Sequence, residues 1–356
     1  MKRPDFANAS CPLSVSGHPC IVMGHGGGGA LSRELVEQVF LPAFSDPLLA
    51  RLGDSTVLEA VEGLPAGGRL ALSTDSYVVR PLFFPGGSIG ELAVNGTVND
   101  LAMSGARAIV LTVGFILEEG LPIDELARVA ARMAVAARGA GVRIVAGDTK
   151  VVERGRGDGV FVNTTGLGVV PEGCRVGIEP VLPGDVVLAS GTIGDHGMAI
   201  MSVREGLAFE SDITSDTAPL HGLVAAMLGA CPAIRLLRDP TRGGVAASLN
   251  EMAGLAGVAI EIVDRAIPVD PSVAAACEIL GLDPLQVASE GRLLAIVPEE
   301  GADAVLAAMR AHEHGRGATA IGRVVSDRPG RVTMRTALGA RRIVPMPLGE
   351  QLPRIC

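Results

Sequence analysis

At 356 residues, with 48% apolar and 19% charged side chains, the chain is long enough for two packed domains and too apolar to stay disordered. Thirty basic against 39 acidic side chains leave a formal charge of −9, the wrong sign for holding nucleic-acid phosphates or anionic lipid, which leaves small substrates and protein partners. The sequence carries no run of 18 uncharged apolar residues and no apolar signal core near its N-terminus, so a cytoplasmic protein is expected.

In chain order, residues 1–50 read as an irregular arm containing Cys11, His18 and Cys20, the run His25-Gly26-Gly27-Gly28-Gly29, and an amphipathic helix at Leu31–Phe40. Residues 51–171 alternate between strand and helix. Strands are predicted at Ser55–Val61, Arg69–Val79, Ile109–Leu117, Arg143–Val152 and Val160–Val170, with helices at Ser88–Ser104 and Pro122–Arg138. The second helix opens on Pro122, Asp124 and Glu125 and stops at Gly139-Ala140-Gly141, the expected order of start and stop signals. A Pro- and Gly-bearing stretch, Pro171–Pro180, marks a domain boundary. Residues 181–345 then form a second domain, opening on a strand at Asp185–Ala189 and running through helices between His196 and Ala256. The segments Val258–Val263, Pro271–Leu280, Arg292–Val297 and Ala302–His312 alternate after them, and strands at Thr319–Val325, Arg331–Arg335 and Arg342–Val344 close the domain. The aperiodic stretch 346–356, with Pro347 and Pro353, is expected to be an extended, mobile tail. The fold class is therefore α+β or α/β, in two domains.

Six cysteines are scattered without a CxxC pair or a Cys/His cluster, which argues against structural zinc and a disulfide framework. Acidic residues recur where apolar strands end or loops turn: Asp54, Asp75, Asp148 and Asp239, joined by Asp100 from a helix. Singly, each reads as well as a cap. Together at one sheet edge they would repel unless a cation held them, and Mg²⁺ is commonly bound by a few carboxylates with substrate phosphates. In the helix at Ser88–Ser104, Glu91, Asn95 and Asn99 recur every four residues. Such a stripe faces solvent, or its amides line a cofactor or an interface. Two glycine-rich segments, His25–Gly29 and Gly191–Gly197, could cradle phosphate, although neither matches a Walker or dinucleotide pattern.

Of the 30 basic side chains 28 are Arg, so Lys150 stands out beside Lys2 as a group able to steady a phosphate or move a proton. Cys356 is the last residue. A thiol at the end of an extended tail is a nucleophile and group carrier that can travel between sites.

The segments STDSYVV, NDLAMSGA, GDTKVV, NTTGLG and RDPTRGG, with the terminal PRIC, resemble the hydrogenase-maturation carbamoyl dehydratases (the HypE family) of the aminoimidazole ribonucleotide synthetase, or PurM-like, superfamily. The resemblance runs from about Met23 to Cys356, and PRIC is its most specific part. It implies a two-domain fold whose N-terminal domains pair through their sheets into a barrel-like homodimer with ATP near that interface. It also implies that a carbamoyltransferase maturation protein (HypF-type) loads Cys356 with a carbamoyl group. ATP then phosphorylates the carboxamide oxygen, and loss of phosphate and a proton leaves a thiocyanate. The cyano group passes to iron held by HypC/HypD-type maturation proteins. Carried over by motif, Asp54, Asp75, Asp100 and Asp239 would hold Mg²⁺ and triphosphate, and Asp148, Thr149 and Asn163 fall in nucleotide-site segments. Gly26, Gly27, Gly28 and Gly29 would close over phosphates. Lys150 and Glu290 are the two candidates for proton removal.

Two other readings compete. A selenophosphate synthetase or thiamine-phosphate kinase would share the aspartates and ATP, but the first carries a reactive Cys near the glycine loop followed by Lys, and the second has no use for PRIC. A non-catalytic maturation scaffold would use the tail only for docking.

Overall fold

A computed structural model describes residues 17–26, 30–51, 68–177, 179–206, 213–347, 352 and 355–356. Asp54, Gly27, Gly28, Gly29, Cys11 and the strand expected at Ser55–Val61 lie outside them.

The first unit runs α1 (Ala30–Leu35), a π turn at Val36–Phe40, α2 (Leu41–Phe44), β1 (Arg69–Tyr77), the short hairpin β2 (Phe83–Phe84) and β3 (Gly87–Ser88), α3 (Ile89–Met103), β4 (Arg107–Glu118), α4 (Ile123–Gly139), β5 (Arg143–Val152) and β6 (Val160–Val170). The first helix runs on past its expected end because the π turn places Pro42 in the first turn of α2, where its missing N–H removes no helical bond. Ser88 caps α3: its Oγ accepts from the Gly90 N–H at 3.1 Å and donates to Glu91 at 2.6 Å. Residues 17–22 of this irregular arm are pinned to the first unit. Ile21 N–H donates to Leu121 O at 2.7 Å, and Ile123 N–H donates to Pro19 O at 3.0 Å.

These strands form a sheet of order β1-β6-β4-β5, with β4 and β5 parallel and the other pairs antiparallel. Helices α3 and α4 cover one face through Leu92, Leu101, Leu126, Val129 and Met133, all buried. The other face is open. Alternation along β1 turns Leu70 and Leu72 outward, and Leu72 is 75% exposed. Register places Ser76, Asn163, Gly114 and Asp148 in one row across that face, and Phe161, Ile116 and Lys150 in the next.

The second unit contains β7 (Val186–Ala189), α5 (Asp195–Arg204), α6 (His221–Ala230), β8 (Leu236–Arg238), α7 (Gly244–Ala256), β9 (Ala259–Val263), α8 (Pro271–Leu280), β10 (Leu294–Val297), α9 (Glu299–Ala311), β11 (Thr319–Val325), β12 (Val332–Arg335) and β13 (Arg341–Ile343). Its seven-stranded sheet has the order β13-β12-β9-β11-β7-β10-β8. Alternate residues of β7 enter opposite cores: Val187 and Ala189 pack with α7, Val186 and Leu188 with α6 and α9. The stretch Pro171–Pro180 lies between β6 and β7, yet packing crosses it, because Met198, Ala199 and Ile200 of α5 join the core beneath the first sheet and Ala102 of α3 joins that of the second.

Candidate active site

The junction between the two units collects the carboxylates. Asp75 on β1 and Asp100 on α3 come from the first unit, Asp239 follows β8, and Glu290 sits just before β10. Asp100 Oδ2 accepts from Ser73 Oγ at 2.7 Å, and Asp75 Oδ1 accepts from the Ser76 N–H at 2.7 Å with Arg242 3.6 Å away. Asp239 and Glu290 are buried. Burial, then the Asp100 charge, pushes the Asp239 carboxyl up to about 7. Burial, then Asp239, Asp216, Asp75 and Asp100, holds Glu290 well above the usual carboxylate range, and burial raises Asp100 as well.

Carboxylates that raise one another in this way suit a hard cation and its phosphate ligands. Among the described residues no three His, Cys, Asp or Glu converge closely enough to hold a metal by themselves. Asp54, the fourth aspartate of the expected set, lies outside the described residues. The donor chemistry fits Mg²⁺ only where phosphate oxygens complete the shell.

A stability consequence follows. Asp239 binds its proton more tightly folded than unfolded, so stability is full below its ordinary value of 3.8 and is lost as pH rises toward about 7. Asp239→Asn removes the charge while keeping the size, and Ser248 Oγ donates to the main-chain oxygen of residue 239 rather than to its side chain. Without divalent cation at pH 7.5 the variant should melt several degrees above the wild type and show a flatter pH dependence. Equal melting temperatures there would remove the assignment of a repelling cluster.

A second group of predicted residues assembles elsewhere. A cavity of about 200 Å³ opens between the π turn with α2 and the strands β4 and β5, lined by His25, Gly26, Phe40, Phe44, Asp148 and Lys150 among others. Gly26 lies against β5 so closely that a Cβ there would stand 2.4 Å from the Val151 nitrogen. Lys150 Nζ donates to both Asp148 oxygens at 2.7 Å, and that hydrogen bond holds the Asp148 carboxyl below its ordinary value. Thr149 also lines the cavity. His25 was not singled out from the sequence. Its Nδ1 accepts from the Val22 N–H at 3.0 Å, so the neutral ring carries its proton on Nε2, which is buried without a partner. An unmatched donor over an aromatic floor fits a phosphate or a purine nitrogen.

Several expected roles change in the structure. Asn99 does not face a cofactor: its Nδ2 donates to Ala218 O (3.0 Å) and Glu290 O (3.1 Å), and its Oδ1 accepts from the Leu220 N–H (2.7 Å), so the side chain is fully committed to the second unit. Asn95 donates to Thr217 Oγ1 at 3.3 Å on the same wall. The two amides thus line an interface between units, while Glu91 pairs with Arg132 of α4 inside the first. Asn163 donates to the Asp75 carbonyl at 2.9 Å and to Ser76 Oγ at 3.0 Å on the open face of the sheet. In the loop Gly191–Gly197 three of the amides that would cradle an anion are taken by protein: Ile193 N–H by Pro268 O, Gly194 N–H by Ser289 Oγ and Gly197 N–H by Ala288 O.

The tail, expected to be extended and mobile, has its end seated in this structure. Leu352 and Ile355 are 5% and 4% exposed and pack into the first core beside α5 and Val287. Aperiodicity says nothing about docking, and two apolar side chains in the last five residues provide the anchor. The Val78 N–H donates to the terminal oxygen of Cys356 at 3.1 Å. The neighbouring Tyr77, fully buried, lies within electrostatic reach of Asp75, Glu290 and Asp100. The chain end is therefore held at the residue next to Tyr77, with the half-buried Cys356 packed against the first core.

Comparison with known proteins shows the family. A family model described as AIR synthase related protein, N-terminal domain, matches residues 53–170, and one described as AIR synthase related protein, C-terminal domain, matches residues 183–335. The chain is 54% identical to the carbamoyl dehydratase HypE of Azotobacter vinelandii over 356 residues, covering 100% of both proteins. Among solved structures, hydrogenase maturation protein HypE in complex with ATP superposes with a TM-score of 0.87 at 48% identity, over 94% of this chain and 99% of that one. HypE from a HypE–HypF complex superposes with a TM-score of 0.76 at 48% identity, over 90% of this chain and 100% of that one. No helix among the described residues is long and apolar enough to cross a membrane.

Proposed function

The chain belongs to the HypE carbamoyl dehydratases within the AIR synthase related family, and from that premise we propose that it converts a carbamoyl group carried on Cys356 into a thiocyanate with ATP, for cyanide ligands of hydrogenase iron. The observation that supports the reading is the docking of the C-terminal residues by main-chain bonds at Val78 and His196, next to Tyr77, which lies in the field of the carboxylates Asp75, Glu290 and Asp100. Such a cluster gives a scaffold nothing. A selenophosphate synthetase or thiamine-phosphate kinase has no use for a docked terminal cysteine.

Supplied as a thiocarbamate by a HypF-type carbamoyltransferase, the carboxamide oxygen attacks the γ-phosphorus of ATP and ADP leaves. The resulting O-phosphorylated imidate loses phosphate and one N–H proton, forming the carbon–nitrogen triple bond. The net change is loss of one water from the thiocarbamate, with ATP becoming ADP and phosphate. Mg²⁺ at Asp75, Asp100 and Asp239 would screen the charge of the triphosphate. Glu290, buried and high in pKa, suits acceptance of the N–H proton. Lys150, exposed and paired with Asp148, suits the phosphate side. Cyanide transfer to iron on HypC/HypD-type partners completes the cycle.

Strand order separates the two residue groups. β1 and β5 are opposite edges of the sheet, about 14 Å apart at ordinary strand spacing. Asp75 looks toward α3 and Asp148 lies on the open face. One ATP joins them most simply when the open face, with Leu70, Leu72 and Ile116 exposed, packs against a second copy, so that each site draws on both chains.

The test is intact-mass measurement of the C-terminal peptide after incubation with carbamoyl donor, transferase and ATP. A carbamoyl adduct that loses one water only when ATP is present is expected. An unmodified peptide, or an adduct indifferent to ATP, would overturn the reading.

A further inference from the structure

His196, in the segment Gly194-Asp195-His196-Gly197 that opens α5, is buried and has no part in the chemistry above. Its Nε2 lies 2.6 Å from the carbonyl oxygen of Ile355, and its Nδ1 lies 2.8 Å from Ser215 Oγ. A carbonyl oxygen only accepts, so Nε2 carries the proton and Nδ1 accepts from the Ser215 hydroxyl. Ser215 Oγ in turn accepts from the Thr217 N–H at 3.1 Å. The relay fixes the tautomer, and burial keeps the ring neutral, with its pKa pushed down to about 4. The ring also packs edge-on to Phe84 at 5.5 Å. A second feature of the same segment also meets the tail: a Cβ on Gly197 would stand 2.5 Å from Val287 Cγ1 and 3.3 Å from Leu352 Cδ1, so this glycine packs directly against the tail's other anchor and the valine beside it.

We propose that His196 is the positioning residue for the terminal cysteine. Its Nε2–H grips the carbonyl of the Ile355–Cys356 peptide while the Val78 N–H holds the terminal oxygen, so the residue bearing the thiol is bracketed on both sides in the docked state from which dehydration proceeds. The catalytic half of this statement rests on the carbamoyl dehydratase reading. The docking half does not. Ser215 serves the same end by keeping the proton on Nε2, and it ties the grip to the Ser215–Leu220 segment that runs past Asn99 and Glu290.

The experiment measures two quantities on the full chain. The first is the rate of iodoacetamide alkylation at Cys356, read on the C-terminal peptide by mass spectrometry, with no carbamoyl chemistry involved. His196→Phe keeps an aromatic ring against Phe84 and loses the donor, so the alkylation rate should rise about fivefold to tenfold, as expected for losing one hydrogen bond. His196→Gln restores an N–H donor at similar reach and should return most of the protection. Ser215→Ala should move in the direction of His196→Phe by a smaller factor, and it remains informative if the phenylalanine variant does not fold. The second quantity is the dehydration rate of the pre-loaded thiocarbamate, which should fall in step with lost protection while the transferase loads Cys356 at least as fast as in the wild type. Wild-type alkylation rates in both His196→Phe and Ser215→Ala, or a glutamine variant as unprotected as phenylalanine, would overturn the proposal. Changed protection in a protein whose wild type makes no thiocyanate would leave the grip standing and remove the reaction assigned to it.

Discussion

Cys356→Ala should bind Mg²⁺–ATP with wild-type affinity, melt within a degree or two of the wild type, and form neither thiocarbamate nor thiocyanate. The contacts that seat the tail survive the change, because His196 holds the Ile355 carbonyl, Val78 holds a terminal oxygen and Leu352 and Ile355 fill the apolar seat. Only one half-exposed sulfur is removed, a loss on the order of 1 kcal/mol or less. The proposed scheme has one carrier, Cys356; of the other thiols, Cys277 is buried and pushed up to about 11 and Cys174 packs beneath Gly105. Product formation should therefore fall to zero. ATP turnover that depends on a loaded thiol should vanish with it, which also separates an enzyme from a scaffold. Thiocyanate made by the alanine variant would end the assignment of Cys356 as carrier.

The regular elements were largely legible because periodicity and caps agreed. The helix predicted at Ser88–Ser104 is α3 with Ser88 as its cap, and the strands at 143–152 and 160–170 have the bounds the alternation suggests. Strand β8 and the hairpin of β2 and β3 are three and two residues per strand, too short for any period to register. The π turn that carries the first helix through Pro42 has no local signature either. Site chemistry was legible where charge or scarcity marked it, as with the aspartates, the isolated Lys150 and the terminal Cys356.

It was misread where polar residues serve tertiary contact. Asn99 and the loop Gly191–Gly197 look like cofactor ligands in one dimension, and both turn out to join protein to protein. Hydrogen-bond capacity is visible in sequence, but the partner that fills it is not. His25 and His196 passed unnoticed for the converse reason. Each sits beside glycine, in a segment whose glycines draw the eye first, and its importance comes from what folding brings to its second nitrogen.

Glu290→Gln should stall the enzyme as a thiocarbamate on Cys356, lowering the dehydration rate by about two to four orders of magnitude, the usual contribution of a positioned base. Glutamine preserves volume, and the residue's two main-chain bonds, its N–H to Asp216 Oδ1 at 2.9 Å and its carbonyl from Asn99 at 3.1 Å, are untouched. Folding should not suffer: the carboxyl is buried among Asp216, Asp239, Asp75 and Asp100, and removing its charge relieves repulsion. Carbamoyl loading and ATP binding should persist, so the stalled species is seen as an intact mass one water heavier than the thiocyanate. Lys150→Arg supplies the contrast. Arginine keeps the cation and can grip Asp148 through its planar fork, but it does not give up its proton. A group that steadies phosphate tolerates that exchange, so this variant should retain dehydration to within about tenfold. The wild-type rate should climb with pH along a limb that Glu290→Gln abolishes and Lys150→Arg leaves in place. If the arginine variant accumulates thiocarbamate while the glutamine variant makes thiocyanate normally, the proton leaves through Lys150, and Glu290 is reduced to shaping the electrostatics of the cluster.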